Sequence, residues 1–125
     1  MRKIFVVEDD SSIREVLEIV LASENYDVQT FSTVSEFTQR DTNVDPDLYI
    51  FDVMLPDGSG IDLCEEIKKN VHNNNNVPVI IMSAHAQLKK ITEICQPDFF
   101  IPKPFDIDQL LEKVQQITDK RQLPR

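Results

Sequence analysis

The stretch Leu48-Tyr49-Ile50-Phe51-Asp52 constrains this chain more than any other. An apolar run ends abruptly in a carboxylate, and such a run reads as a strand buried on both faces. Pro56 and Gly58 then force a turn, because neither continues a strand comfortably. Beyond Gly60, the residues Ile61, Cys64, Ile67 and Val71 recur at helical spacing. Asp52 is therefore expected at the carboxyl end of a buried strand, just before a strand-to-helix loop. Open α/β sheets bind their ligands at that edge. An unpaired buried charge is costly, so a carboxylate there needs a cation or hydrogen-bond donors.

The same pattern recurs along the chain. Ile4-Phe5-Val6-Val7 is an apolar run that ends in Glu8, Asp9 and Asp10. Ser12-x-x-Glu15 then resembles a capping box, followed by a helical face of Ile13, Val16, Leu17, Val20 and Leu21. Residues 26–31 alternate around Val28 and read as a strand nearer an edge. Residues 33–40 read as a weak helix held by Val34 and Phe37. Residues 77–82 form another buried run, ending in Ser83-Ala84, and Leu88, Ile91 and Cys95 indicate a short helix. Phe99-Phe100-Ile101 is a brief strand, ended by Pro102-Lys103-Pro104-Phe105. Asp106, with Gln109 three residues later, caps a last helix whose apolar face is Ile107, Leu110, Leu111, Val114 and Ile117.

Five strand runs alternating with five helical patterns predict an α/β fold, a doubly wound five-stranded parallel sheet with helices on both faces. In the flavodoxin-like strand order 2-1-3-4-5 the ends of the first and third strands lie side by side. Glu8 and Asp9 then meet Asp52. Like charges so close repel and raise one another's pKa, and a hard divalent cation resolves the conflict. Mg²⁺ prefers oxygen ligands and typically takes one or two carboxylates plus phosphate oxygens. Ser83 offers a hydroxyl at the same edge, and Lys103 an ammonium suited to a phosphoryl oxygen. An acid, a metal, a hydroxyl and a lysine together describe phosphoryl transfer onto Asp52 as a carboxylate nucleophile.

The chain also resembles the receiver (CheY-like) domain of two-component response regulators. The matching pieces are Val6-Val7-Glu8-Asp9, Arg14, the stretch from Asp52 through Pro56-Asp57-Gly58-Ser59-Gly60, Ser83-Ala84 and Lys103-Pro104-Phe105. The resemblance implies that Asp52 is the phospho-acceptor and that Asp9 binds Mg²⁺ with the Met54 backbone carbonyl as a further ligand. It implies that Glu8 acts on the metal through water, and that Ser83 and Lys103 contact the phosphoryl oxygens. Ala84 would keep the entrance open. Phe100 would be the switch aromatic that moves inward with Ser83, and the Lys103-Pro104 bond would be cis. The readout surface would lie on the fourth helix, fifth strand and fifth helix. The implied partners are a sensor histidine kinase or phosphotransfer protein and an output domain or downstream protein. The domain would catalyse its own modification without being a metabolic enzyme.

At 125 residues one domain is expected, over residues 1–119, with 120–125 a tail or the start of a linker. A net charge of −9 argues against a nucleic-acid surface on this domain. No apolar run approaches a membrane span, and the early acids are wrong for a signal peptide. The expectation is a cytoplasmic protein, with Cys64 and Cys95 as buried free thiols.

Rival readings are a Mg²⁺-dependent phosphohydrolase and an unphosphorylated interaction module. The hydrolase needs a second acid two residues after its nucleophile, and Met54 stands there. Asp10 reads as a solvated or helix-capping charge, Asp57 as a turn residue, and Ser59 as an aid to starting the helix. His72, beside Asn73-Asn74-Asn75-Asn76, reads as surface. His85 reads as an exposed side chain or, two beyond Ser83, as a modulator of acyl-phosphate hydrolysis. The segment between Ser83 and Lys103 is about two residues shorter than the family pattern, and Gln96-Pro97 precedes the last strand. Pro97 predicts a fourth helix that stops near Cys95 or earlier, is short or displaced, and is the most mobile regular element of the unphosphorylated domain.

Overall fold

The computed structural model describes residues 2–69, 77–83 and 95–122. The chain runs β1 (Lys3–Val7), α1 (Ser11–Ser23), β2 (Asp27–Phe31), α2 (Val34–Thr38), β3 (Leu48–Asp52), a hairpin of β4 (Met54–Leu55) and β5 (Gly58–Ser59), α3 (Gly60–Lys69), β6 (Val79–Ser83), β7 (Phe99–Pro102) and α4 (Ile107–Gln122). The main sheet has five strands in the order β2-β1-β3-β6-β7, all parallel. Without the small antiparallel hairpin, that is the expected order 2-1-3-4-5, with β2 at an edge. Four helices flank the sheet among the described residues. The expected fourth helix, with Leu88 and Ile91, lies outside the described residues, as do Ala84, His85, His72 and the Asn run.

The three central strands β1, β3 and β6 bury both faces because two cores sandwich the sheet, while the edge strand β2 leaves Asp27 and Gln29 exposed. On one side Phe5, Phe31, Phe37, Tyr49 and Phe51 pack with Leu63, Cys64 and Ile67 of α3. Most of their ring pairs meet edge to face, as Phe37 and Phe51 do at 5.4 Å between centroids, an arrangement aromatic quadrupoles favour. On the other side Ile4, Ile50, Ile80 and Met82 pack against Leu17 and Leu21 of α1 and Leu110 and Val114 of α4. Thr118 is also buried there. It hydrogen-bonds the Val114 carbonyl at 2.8 Å and lies 3.3 Å from the Tyr26 hydroxyl.

Some local expectations change. Val16 is 37% and Ile107 40% exposed, so both lie off the core faces assigned to them, while Leu63 is buried. The cap of α1 is Asp10, not Ser12: its carboxylate accepts from the Ser12 and Ile13 amides at 2.9 and 3.2 Å. Asp106 and Ser59 do start their helices, by accepting from Asp108 N and Ile61 N respectively. Asp57 does more than turn the chain. It accepts from the Val34 and Ser35 amides at 2.8 and 2.9 Å and so caps α2 from the neighbouring loop.

The expected free thiols are a correction. Cys64 and Cys95 form a disulfide, with Cα atoms 6.1 Å apart across 31 residues of sequence. Both belong to the aromatic core, and helical spacing shows burial but not which buried sulfurs meet.

Candidate functional site

β1 and β3 are register neighbours, with Val7 opposite Phe51. Their carboxyl ends therefore deliver Glu8 and Asp52 side by side. Glu8 continues the ladder by donating its amide to the Phe31 carbonyl at 3.0 Å, and its side chain is wholly buried. Asp9 is exposed. Arg14, one turn into α1, clamps the backbone of this acidic loop, donating from Nη1 to the carbonyls of Glu8 at 2.9 Å and Asp9 at 3.2 Å.

Asp52 is 5% exposed. The chain leaves it by way of Val53, whose amide reaches the Met82 carbonyl and whose carbonyl accepts from Gly60, both at 3.1 Å. Gly60 thus lies directly on Asp52: a Cβ there would stand 2.1 Å from the Asp52 carbonyl oxygen. No side chain fits at that distance, so glycine is required by space rather than by φ.

Lys103 comes from the far side, one residue past β7, and its amide donates to the Ser83 carbonyl at 2.8 Å. The Lys103-Pro104 bond is cis. The ammonium reaches Glu8 Oε1 at 2.6 Å and Asp52 Oδ1 at 3.1 Å. Oxygens of Glu8, Asp9 and Asp52 all lie within 4.8 Å of one another.

Burial pushes the Glu8 carboxyl up to about 7, with the neighbouring Asp52 charge adding to the rise and the Lys103 and Asp10 hydrogen bonds opposing it. Burial alone would lower the Lys103 pKa, but its hydrogen bonds to Glu8 and Asp52, and their charges, raise it overall. The lysine is a fixed cation here, and Glu8 is the group whose charge is negotiable.

Ser83 ends β6 opposite Pro102, one position beyond the pair of Asp52 and Met82. Phe100, opposite Ile81, is partly buried against the aromatic core. Met54 is 72% exposed at the start of the hairpin. Arg14, Gly60 and the direct contact of Lys103 with Glu8 are the additions to the residues singled out from sequence. Arg14 and Gly60 stood among the matching motif pieces without a role. The pairing of Lys103 with Glu8 spans 95 residues of sequence and has no local signal.

A sheet of this order with acids and a lysine at its switch point defines the receiver class. The family described as the response regulator receiver domain matches residues 4–115, and the chain belongs to that family of two-component signalling domains. The DNA-binding transcriptional regulator NtrC of Escherichia coli K12 is 36% identical over 98% of this chain, which spans 26% of that relative. A CheY-like receiver domain protein from Methanospirillum hungatei superposes with a TM-score of 0.86 at 28% identity, covering 97% of this chain and 96% of that one. The response regulator TrrA from Thermotoga maritima, solved in complex with Mg²⁺-BeF, has a TM-score of 0.80 at 28% identity, covering 94% and 99%. The acidic cluster fits a Mg²⁺ site of that kind, since its donors are all hard oxygens. No helix among the described residues is long and apolar enough to cross a membrane.

Proposed function

We propose that Asp52 accepts a phosphoryl group from a phosphohistidine on a partner sensor kinase or phosphotransfer protein. The observation that carries this is the contact of one lysine with two buried carboxylates, one of them Asp52, at the carboxyl edge of the sheet. An Asp52 oxygen attacks phosphorus, the phosphorus–nitrogen bond breaks, and the imidazole leaves with the electron pair and takes up a proton. Lys103 already lies on Asp52 Oδ1, so its ammonium is placed to meet charge on the transferred phosphoryl oxygens. Ser83 supplies a hydroxyl to the same group, and Phe100 responds to its movement. Asp9 and Asp52, with the Met54 backbone carbonyl and with Glu8 through water, would hold Mg²⁺. When bound, that ion supplies positive charge against the acidic cluster and the incoming phosphoryl oxygens.

An apolar groove of about 300 Å³ borders Lys103, lined by Ile13, Val16, Pro104, Phe105 and Ile107. It suits an apolar face of the partner element that carries the histidine. The receiver unit spans residues 1–119, with 120–125 a C-terminal tail or the start of a linker, and its modified surface acts on an output domain or a downstream partner. The domain works in the cytoplasm and catalyses its own phosphorylation and dephosphorylation. In the test, the protein is incubated with acetyl phosphate and Mg²⁺ and its intact mass is followed. One phosphoryl group is expected, absent in Asp52→Asn; undiminished labelling of that variant refutes the assignment.

A further inference from the structure

The disulfide joins two elements that matter to the site. Cys64 lies in α3, the helix that starts at Gly60 against the Asp52 carbonyl. Cys95 precedes β7, the strand that carries Phe100 and leads to Lys103. A second tie runs beside the first: Asp98 accepts from the Val79 amide at 2.8 Å and from Lys68 of α3 at 2.7 Å. The lead into β7 is therefore held to α3 by one covalent and one ionic link.

The two sulfurs differ in surroundings. Cys64 is wholly buried, whereas Cys95 is 4% exposed and lines a cleft of about 340 Å³ with Glu65, Lys68, Lys69 and Gln96. Disulfides in a reducing cytosol are usually transient and redox-sensing. On the cytoplasmic placement proposed above, on which this step rests, a permanent staple is the wrong reading.

We propose that Cys64 and Cys95 are a reversible thiol–disulfide pair that braces the lead into β7 against α3, with Cys95 the sulfur that exchanges. The reductant is a protein dithiol or a low-molecular-weight thiol. A reductant thiolate attacks Cys95 Sγ, forming a mixed disulfide, and Cys64 leaves as a thiolate that takes up a proton. A second reductant thiolate then attacks its own sulfur in the mixed disulfide, and Cys95 leaves as a thiolate. The protein gains two electrons and two protons, and the reductant is oxidised to a disulfide. Oxidation by a low-molecular-weight disulfide is the reverse. The oxidised form holds β7 to α3 covalently, and the reduced form leaves that junction to Asp98 and apolar packing.

The test uses the full chain, treated with glutathione disulfide or with dithiothreitol. Alkylation read by mass spectrometry should find no reactive thiol in the oxidised protein and two in the reduced one. Closing a loop of 31 residues should raise the melting temperature by roughly 10 °C. The Cys64→Ser/Cys95→Ser double variant should melt with the reduced protein under both treatments. The amides of Phe99, Phe100 and Ile101 should exchange more slowly in the oxidised form. Given glutathione disulfide, Cys95 in Cys64→Ser should form the mixed disulfide faster than Cys64 does in Cys95→Ser. Two alkylatable thiols in the folded oxidant-treated protein, equal melting of the two forms, or faster exchange at Cys64 overturns the proposal. Acetyl phosphate labelling of Asp52 in the same samples tests the receiver chemistry separately.

Discussion

Glu8→Gln probes the electrostatics of the site most sharply. Glu8 is the only fully buried carboxyl among the described residues, and burial lifts it from 4.5 to about 7. Its folded form holds a proton that the unfolded form releases, so stability is fully present below 4.5 and is lost as pH rises towards 7. A rise of that size corresponds to about 3 kcal/mol. Lys103 is raised rather than lowered, so it stays charged throughout and adds no slope to this window. Glutamine keeps the shape and the acceptor oxygen but does not titrate. Urea unfolding of both proteins without metal, from pH 4.5 to 8, isolates the Glu8 contribution as a difference. The variant should gain up to about 3 kcal/mol relative to the native protein between the ends of that range. Parallel curves, or a native protein that gains on the variant, would refute the buried-acid reading.

Mg²⁺ should raise the melting temperature of the native protein through mass action on the folded state, and more at pH 8 than at pH 6, because ligands must shed protons to bind. Asp9→Ala should lose most of that rise; calorimetry with and without Mg²⁺ decides. Gly60→Ala should cost at least ~1–3 kcal/mol by overpacking and slow acetyl phosphate labelling, since its Cβ would meet backbone at Asp52 and not a movable side chain. Asp57→Ala should cost ~0.5–2 kcal/mol through the loss of its two hydrogen bonds from the first α2 amides, with Thr33 still capping the helix, and leave the Mg²⁺ response unchanged.

Much of this architecture is legible in the chain, because runs such as Ile4-Phe5-Val6-Val7 and Leu48–Asp52 are apolar on both faces and end in acids. Their alternation with helices gives a parallel doubly wound sheet with few possible topologies, and in the flavodoxin-like order among them Glu8 and Asp52 meet. What stays hidden is contact across sequence. Asp57 reads locally as a turn residue, and its capping of α2 needs the loop and helix already packed. Ser12 has the spacing of a cap, yet Asp10 sits two residues earlier and its carboxylate takes the Ser12 and Ile13 amides, so the helix already begins before Ser12 could cap it. Cys64 and Cys95 look like any buried thiols until α3 and the lead into β7 share a core. Lys103 reads from the sequence as a phosphoryl contact, but its hold on Glu8 appears only once the carboxyl ends of β1 and β7 share one edge of the sheet.

The central claim is that Asp52 is the residue that carries the phosphoryl group, and reductive trapping tests it most directly. After labelling with acetyl phosphate and Mg²⁺, borohydride reduces an aspartyl phosphate to homoserine, and peptide mass spectrometry locates the product. The account predicts homoserine at position 52 alone, dependent on Mg²⁺ and lost in Lys103→Met. Homoserine at position 9, 10 or 57, or a phosphoryl group that resists borohydride, would contradict it.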